Sequence, residues 1–381
     1  MRILHAYKVF RPEVDGGVGS VIAAVCGSDG PDISSSVLVA RGRPGLGQTY
    51  EFGLVKVRVH AVSSLGNLFG MPIAPGFPIA LALASREADV VVFHHPFPLN
   101  DIGTIGIPDR VGLVAHWHSE IYGRRLLARG LEPFIRRTLA RADRVIVSNE
   151  AIMENSALLR PHRAKCEIVP FGVDTKKWIL TDEVERARAA ALQKRHPRLI
   201  AALGRLVPYK GYDVLIRALT RVDGHLIING TGPEQRPLQR LAARLGVSDR
   251  VTFTGYLSHD DIKIHLSAAR VFALPSVTDA ETFGIAQLEA MAVGLPIVNT
   301  GLNTAVPLVA RDGVEAITVS PGDPLALAAA LTRLLDNEAL AISLGAAARV
   351  RVRDEFDEAR FVARVLAIYR KAYEAARVRR D

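Results

Sequence analysis

The chain has 381 residues, which is too long for one ordinary hydrophobic core and predicts two domains. About half of the residues (49%) are hydrophobic and no low-complexity run is present, which excludes a disordered chain. The formal net charge of +9 favours acidic partners, either phosphorylated ligands or an anionic membrane surface. Zinc-finger, RNP-like and basic-zipper patterns are lacking, which argues against nucleic acid as the partner.

Redox and targeting features favour a cytoplasmic protein. Cys26 and Cys166 supply neither a disulfide framework nor metal-ligand spacing, as expected in a reducing compartment. The N-terminal residues enter a strand directly and lack the apolar core of a signal peptide. The longest apolar run, 71–84, is short and contains three prolines, so it is not expected to cross a bilayer. We expect a cytoplasmic location, with a peripheral position on the inner face of the cell membrane left open.

The N-terminal domain is predicted over residues 1–175 and begins with a strand, a glycine loop and a helix. The strand covers 1–7, the helix begins near Ser20, and Gly16 and Gly17 lie in the loop between them. This arrangement can cradle a phosphate, although a plain turn is an equal alternative. The pattern G-x-G-x-x-G does not occur here, which argues against a dinucleotide-dependent oxidoreductase.

Histidines follow two buried parallel strands, predicted at 89–93 and 112–115. His94 follows the first strand, and His116 and His118 follow the second. The i, i+2 spacing of the second pair would suit a metal, but no third or fourth ligand is spaced to complete the site, so no metal is expected. A loop histidine that is satisfied locally is the alternative to a functional role for His118.

A strongly basic amphipathic helix is predicted over 121–144. Its arginines are interspersed with leucine, isoleucine and phenylalanine. Two interpretations stay open, a solvated arginine face and a surface that binds anionic lipid.

The C-terminal domain is predicted over 176–356. Its first strand leads into a loop with Arg205 and Lys210, and a guanidinium and an ammonium on one loop are complementary groups for a diphosphate. Later strands lead into two further loops. The residues singled out there are Gly230, Tyr256 and Leu257.

The segment 274–300 carries the most informative pattern. A polar loop with Glu281 follows a buried strand, and a helix begins near Phe283 and Gly284. A helix start beyond the carboxyl end of a strand offers unpaired N–H groups and a partial positive charge, which suit a phosphate. Glu289 lies in the second turn of this helix, where its carboxylate is placed to accept hydrogen bonds from a ribose.

These motifs resemble those of family 4 retaining glycosyltransferases of the GT-B fold, in particular bacterial mannosyl- and rhamnosyltransferases of polysaccharide and glycolipid synthesis. The resemblance implies an α/β protein with two facing Rossmann-like domains and a deep interdomain cleft. The last helix, over 357–381, would cross back to the N-terminal domain. The matching segments are Glu281-Thr-Phe-Gly-Ile285 with Glu289, Gly204-Arg205-Leu with Lys210-Gly211, and Gly230-Thr-Gly-Pro233.

The resemblance also implies roles for single residues. His118 and Glu281 would be catalytic, since they would position the sugar and stabilise developing charge. No metal ion and no cofactor is implied. Phe171 replaces the asparagine of the family's exit motif. Residues 301–306 depart from the family's usual loop, which leaves the contribution of that loop to donor choice open. The implied donor-binding residues are Gly16, Gly17, Arg205, Lys210, Gly230, Tyr256, Leu257, Phe283, Gly284, Ile285 and Glu289.

The expected reaction is retaining, metal-independent transfer of a hexose from a nucleotide-diphosphate sugar to a hydroxyl of a glycan or polyprenyl-linked acceptor. A GDP-mannose-type donor is favoured over a UDP-sugar. Alternatives with the same fold are a nucleotide-sugar epimerase and a phosphorylase. Alternatives of other classes are a dinucleotide-dependent oxidoreductase and a two-domain solute-binding protein, and the lack of a secretion signal argues against the second.

Overall fold

A computed structural model describes residues 1–13, 16–68, 70–120 and 125–379, with the side chains of 125–128 left undescribed. The chain divides into two compact units. Unit 1 comprises Met1–Phe171 and Arg360–Asp381, and unit 2 comprises Gly172–Ala359. The sequence analysis placed these boundaries at 175/176 and 356/357, a few residues later on entry to unit 2 and a few residues earlier on exit.

Strands and helices alternate along most of the chain, as in α/β proteins. The strands are β1 (Arg2–Tyr7), β2 (Ser34–Ala40), β3 (Gln48–Phe52), β4 (Val57–Val62), β5 (Asn67–Leu68), β6 (Met71–Pro72), β7 (Val90–His95), β8 (Gly112–Trp117), β9 (Arg144–Val147), β10 (Cys166–Ile168), β11 (Leu199–Leu203), β12 (His225–Asn229), β13 (Val251–Gly255), β14 (Val271–Ala273), β15 (Ile297–Thr300) and β16 (Ala316–Val319). The α-helices are α1 (Gly17–Cys26), α2 (Phe77–Ser85), α3 (Pro98–Gly103), α4 (Arg125–Arg141), α5 (Glu150–Asn155), α6 (Glu183–Arg195), α7 (Tyr212–Ala218), α8 (Gln235–Arg244), α9 (His259–Ala268), α10 (Ile285–Val293), α11 (Val306–Val309), α12 (Pro324–Asp336), α13 (Glu338–Glu355) and α14 (Glu358–Val378).

Unit 1 is built around a mainly parallel sheet. Within the described residues this sheet has eight strands in the order β10-β9-β8-β7-β1-β2-β4-β3, and β5 and β6 form a separate hairpin. Only the β3–β4 pair is antiparallel among these sheet neighbours. The strand order reverses between β1 and β7, so their carboxyl ends form a switch point of the kind where α/β sheets bind ligands.

Three neighbouring strands of unit 1 carry histidines. β7 and β8 are buried along their whole length, because helices cover both faces of a parallel sheet. Their register pairs His94 with His116, and on the other side of β7 His5 of β1 pairs with Val92. Since side chains two positions apart share a face, these three histidines lie on the same face of the sheet. Tyr369 and Phe361 of α14 contact this face.

Unit 2, in which every residue is described, contains a six-stranded parallel sheet. Its order is β13-β12-β11-β14-β15-β16, so the chain runs outward from β11 to one edge and then outward from β14 to the other. This is the strand order of dinucleotide-binding doubly wound sheets, whose ligands bind at the carboxyl ends of the two central strands. The loops that follow β11 and β14 therefore lie at the switch point of this sheet.

Several predicted elements differ from the observed ones. The basic helix predicted over 121–144 is α4, Arg125–Arg141, and 121–124 lie outside the described residues. The helix that carries Glu289 begins at Ile285, slightly later than predicted. The sequence analysis identified neither α13 nor the antiparallel strand β3. None of the helices in the described part of the chain is long and apolar enough to span a bilayer.

Candidate active site

Two loops meet at the switch point of unit 2. The loop after β11 contains Arg205 and Lys210, and the loop after β14 contains Glu281. The Val277 amide donates to the Tyr209 carbonyl oxygen at 2.8 Å, which fastens the loops together. Gly211, with φ +66°, lies so close to the Pro275 carbonyl that a Cβ at this position would collide with it. Only glycine fits here, because it combines a left-handed backbone with this close approach.

Lys210 and Glu281 form a buried ion pair. The Lys210 Nζ lies 2.5 Å from Glu281 Oε2, and the two residues are only 8% and 7% exposed. The Ser276 hydroxyl donates to the same carboxylate oxygen at 2.9 Å. Burial is the largest single influence and lowers the pKa of Lys210, but Glu281, Tyr212 and Tyr209 together outweigh it and raise that pKa above its usual value. The two predicted site residues therefore lie together as a pair, which the sequence analysis did not foresee.

Arg205 differs from Lys210 in its surroundings. Its side chain is exposed, and no carboxylate among the described residues lies within salt-bridge distance of it. The preceding Gly204 has φ +144°, and a Cβ there would lie 3.0 Å from the Tyr212 hydroxyl and 3.4 Å from Lys210 Nζ. Because Glu281 already balances the charge of Lys210, Arg205 supplies the uncompensated positive charge of this loop.

The start of α10 supplies amide donors. Gly284, with φ +74° and ψ 56°, precedes the helix and makes no side-chain cap hydrogen bond. Such a helix start leaves first-turn N–H groups available to an anion. A Cβ on Gly284 would lie 2.6 Å from Leu274 Cδ2, so the turn requires glycine. Ile285 and Glu289 are half-buried on this helix, whereas Phe283 is buried against Phe356, with ring centroids 6.1 Å apart.

A buried amide network fixes this helix start. The Gln287 side chain donates to the Phe283 carbonyl at 2.9 Å and to the Val306 carbonyl at 3.2 Å. The Asn299 side chain donates to the Ala310 carbonyl at 2.9 Å and accepts from the Thr318 hydroxyl at 2.7 Å. The sequence analysis missed Gln287 and Asn299, although a polar amide within an apolar helix or strand is a signal for such a network.

The remaining predicted residues of unit 2 lie at the same edge of the sheet. Gly230, with φ +146°, donates its amide to the Gly255 carbonyl at 3.1 Å and packs against the Gly204 carbonyl. Tyr256, the residue after Gly255, is 75% exposed, and Leu257 is half-buried. The loops after β11, β12 and β13 are thus bound to one another, and the structure brings all predicted residues of unit 2 to one edge.

In unit 1, His118 ends a chain of three imidazoles. His118 Nε2 lies 2.9 Å from His94 Nδ1, and His94 Nε2 lies 3.1 Å from His5 Nδ1. All three residues are buried, as is His116, which stacks on His118 with centroids 4.3 Å apart. Burial lowers the pKa of His5 and of His116 to about 3, and it lowers the pKa of His94 and of His118 well below the usual value. The four imidazoles are therefore neutral near pH 7.

One part of the metal argument from sequence is wrong. The fold brings His94 beside His116 and His118, with one nitrogen of each within 4.8 Å of the others, so a third histidine does lie at this site. Yet His94 Nδ1 and His118 Nε2 already face each other in a hydrogen bond, in which one nitrogen carries a proton and the other directs its lone pair at that proton. While this bond is formed, neither of these two nitrogens has a lone pair available for a shared ion.

Two family models match the chain. The model for Glycosyltransferase Family 4 matches residues 32–177, and the model for Glycosyl transferases group 1 matches residues 183–351. The chain is a glycosyltransferase with a family 4 domain followed by a group 1 domain. It is 29% identical to the D-rhamnosyltransferase WbpZ of Pseudomonas aeruginosa over 93% of the chain and 92% of that relative.

Other relatives of this glycosyltransferase match in part or by fold. It is 37% identical to the GDP-mannose-dependent alpha-(1-6)-phosphatidylinositol monomannoside mannosyltransferase of Mycobacterium tuberculosis, over 49% of the chain and 51% of that relative. It superposes on the sucrose-phosphate synthase of Thermosynechococcus elongatus with a TM-score of 0.81 at 21% identity, covering 98% of this chain and 99% of that one. The GT-B fold expected from sequence is confirmed.

The glycine loop of this glycosyltransferase follows β1 at the switch point of unit 1. Gly16 has an extended backbone with φ −174°, and a Cβ there would meet no atom within 4 Å. Gly17 is the first residue of α1. Sterics do not require glycine at position 16, so a role for this loop in binding phosphate stays a prediction.

Proposed function

We propose that this glycosyltransferase transfers a hexose from a nucleotide-diphosphate sugar, with retention of configuration and without a metal ion, to a hydroxyl of a glycan or lipid-linked acceptor. The observation that carries the proposal is the switch point of unit 2. There an exposed guanidinium, the Lys210–Glu281 pair and the uncapped start of α10 lie on two loops that are fastened together. Cations and amide groups of this kind bind a diphosphate.

The diphosphate is the expected ligand of these groups. Lys210 has three N–H donors, of which Glu281 takes one, so the others are available to phosphate oxygens. Arg205 adds a planar pair of donors that matches a phosphate. Together with the N–H groups of α10, they stabilise the negative charge that grows on the leaving nucleoside diphosphate. Glu289, one turn into the helix, accepts hydrogen bonds from the ribose, and Tyr256 with Leu257 lines the base.

In the proposed reaction the acceptor hydroxyl attacks the anomeric carbon from the face that the diphosphate leaves. The bond from that carbon to the phosphate oxygen breaks, the bond to the acceptor oxygen forms, and the acceptor proton passes to the leaving phosphate. His118 and Glu281 position the sugar and stabilise charge, and no covalent intermediate with the enzyme forms. Resemblance to the family supplies this role for His118.

A GDP-linked donor is the favoured one. The mycobacterial relative is GDP-mannose-dependent, and the full-length relative of Pseudomonas aeruginosa is a D-rhamnosyltransferase. Thermal unfolding with GDP, UDP or dTDP tests the base, because a ligand at about 100 times its Kd adds about 2.7 kcal/mol to the native state. We expect the largest rise in Tm with GDP and a smaller one with UDP. Equal shifts for all three would contradict a preference for guanine, and no shift would contradict the nucleotide site itself.

Mechanism and metal independence are tested on the transfer reaction. With a GDP-hexose and a glycan acceptor, NMR of the product should show the anomeric configuration of the donor, and EDTA should leave the rate unchanged. An inverted product would contradict retention. A rate that falls in EDTA and returns with a divalent metal would contradict metal independence.

Association with an anionic membrane surface rests on the exposed arginines of α4. Arg129, Arg136 and Arg137 are exposed, although Arg136 pairs with Glu132 at 2.7 Å. Arg141 instead binds backbone carbonyls, among them that of Val111 at 2.7 Å, and is structural. Arg124 lies outside the described residues, and the side chain of Arg125 is not described.

The membrane proposal predicts a salt-sensitive interaction with lipid. The double variant Arg129→Gln/Arg137→Gln should co-sediment less with vesicles that contain phosphatidylglycerol, since each basic residue near such a surface contributes about 1 kcal/mol. Arg240→Gln/Arg244→Gln on α8 is the matched control and should sediment like the wild type. Equal sedimentation of both double variants would remove α4 as the lipid-binding surface.

A further inference from the structure

The chain of imidazoles in unit 1 has the geometry of an in-line hydrogen-bonded array. The centroids of His94 and His118 lie 5.2 Å apart with an interplanar angle of 9°, and those of His5 and His94 lie 5.4 Å apart with an angle of 29°. Each centroid separation matches the nitrogen–nitrogen distance plus two ring radii. The bonded nitrogens therefore lie on the line between the rings, where N–H donors and lone pairs are aligned.

Such an array has only two proton orders while all three rings are neutral. A neutral imidazole has one N–H donor and one acceptor nitrogen, so each ring must donate in the same direction as its neighbour. In one order His5 donates to His94, His94 donates to His118, and the proton of His118 lies on Nδ1. In the other order every bond is reversed, and His118 Nδ1 is an acceptor.

The inner end of the array favours the first order. His5 Nε2 is buried and has no hydrogen-bond partner among the described residues. In the second order this nitrogen would carry the unpaired N–H, inside β1 where His5 is fully buried, and a buried N–H without an acceptor costs free energy. In the first order the unpaired N–H is instead that of His118, which follows the carboxyl end of β8, where a ligand can supply the acceptor.

We propose that His94, held by His5, is a positioning residue that sets the tautomer of His118, so that His118 Nδ1 carries the proton and donates to a hydroxyl or phosphate oxygen of the sugar donor. His118 Nδ1 is buried and has no partner among the described residues, as expected of a group that awaits a ligand. The part that concerns the donor rests on the proposed function. The part that concerns the tautomer rests on unit 1 alone.

The tautomer is measured directly on the full chain. Protein with 15N-labelled histidine is examined by long-range 1H–15N correlation near pH 7, and the His118 signals are assigned from their loss in His118→Gln. We expect a protonated Nδ1 and an accepting Nε2 in the wild type. In His94→Leu we expect a mixture of tautomers or the Nε2-protonated form. A protonated Nε2 at His118 in the wild type, or no change in His94→Leu, would overturn the proposal.

Kinetics test whether His94 acts through His118. Groups that fix the tautomer of a metal-bound histidine typically change activity about 10- to 100-fold when replaced. We expect a similar loss of kcat in His94→Leu, with the donor KM nearly unchanged. His94→Asn keeps an amide near the Nδ1 position and should recover part of the loss. The double variant His94→Leu/His118→Gln should be no slower than His118→Gln, whereas multiplied losses would show that His94 acts independently of His118 and would overturn its positioning role.

A neighbouring histidine provides the control. His95 lies in the same strand and is equally buried, but it stacks on Trp117 on the opposite face, with centroids 4.8 Å apart. His95→Leu should keep the wild-type kcat and the wild-type His118 tautomer. A wild-type chain that shows no glycosyl transfer would contradict the proposed function while the NMR result still decides the tautomer, so the two failures are distinguishable.

Discussion

At the scale of single residues, the two cations of the candidate site have different energetic roles. Lys210 is buried against Glu281, so removal of either partner leaves an uncompensated charge in a poorly hydrated place. Arg205 is exposed and pairs with no described carboxylate, so its removal changes the charge offered to a ligand and little else. Activity and stability should therefore separate in variants of these two residues.

The first prediction compares Lys210→Met with Arg205→Ala. Removing one partner of a buried pair typically costs about 3–5 kcal/mol, so we expect Lys210→Met to unfold at a clearly lower urea concentration. Arg205→Ala should unfold like the wild type, yet both variants should lose most transfer activity. The double variant Lys210→Met/Glu281→Gln should regain stability without regaining activity. Wild-type unfolding of Lys210→Met would contradict the ion pair, and wild-type rates in both single variants would contradict their role at the diphosphate.

At the scale of elements, close backbone approaches explain glycines that the helix and strand patterns do not require. Gly345 lies within α13, where glycine ordinarily disfavours a helix, but a Cβ there would collide with the Gly294 carbonyl at the end of α10. Gly284 at the other end of α10 combines a left-handed backbone with contact to Leu274. The position of α10 thus depends on glycines at both of its ends.

The second prediction compares Gly284→Ala with Gly313→Ala. Both glycines have a left-handed backbone, with φ +74° and +71°, but a Cβ on Gly313 would meet nothing within 4 Å. Gly313→Ala should therefore cost only the backbone strain, about 1–2 kcal/mol. Gly284→Ala should cost more, because Leu274 must move, and it should also abolish the thermal shift produced by nucleotide. Equal losses of stability would contradict the close approach at Gly284.

At the scale of the whole molecule, buried titratable groups couple stability to pH. The pKa of five buried histidines in unit 1 is lowered by burial, to about 3 for His5, His95 and His116 and well below the usual value for His94 and His118. Asp101 shows the opposite effect, because burial raises its pKa to about 7. His95 and Asp101 lie 3.8 Å apart, yet both are neutral near pH 5, so their contact is not an ion pair there.

The third prediction is a loss of stability in weak acid. The unfolded chain binds protons on these histidines near pH 6.5, whereas the folded chain does not, so their contribution is fully present above pH 6.5 and is lost as the pH falls toward 3. Asp101 acts with the opposite sign, since its contribution falls as the pH rises from about 4 to 7. The five histidines together outweigh Asp101 in the pH dependence of the free energy of unfolding. The urea midpoint should therefore drop between pH 7 and pH 5.

The variant Asp101→Asn removes the contribution of Asp101, which opposes that of the histidines. The folded variant binds one proton fewer than the folded wild type between pH 5 and 6. The free energy of unfolding should therefore change more steeply with pH in this range, by about 1.4 kcal/mol per pH unit. Urea unfolding at several pH values measures this slope. A slope equal to that of the wild type would show that Asp101 is ionised in the folded protein. A midpoint that does not fall in acid would contradict neutral buried histidines.

Resemblance to a known family supplied the GT-B fold. The sequence by itself determined the alternation of strands and helices and the loops of the candidate site in unit 2. These features are local, because periodic apolar residues, glycines and loop charges act on neighbouring residues. Arg205, Lys210, Glu281 and Gly284 follow strands in the sequence, and the carboxyl ends of parallel strands share one edge of a sheet.

Only the tertiary structure decided which side chains meet. The Lys210–Glu281 pair, the Gln287–Asn299 network and the array of His5, His94 and His118 join residues that lie far apart in the chain. Their contacts depend on strand order and register, since a shift of one residue would turn every side chain of a strand to the opposite face. The spacing of His116 and His118 therefore gave no indication of His94, which the parallel pairing of β7 with β8 places beside them.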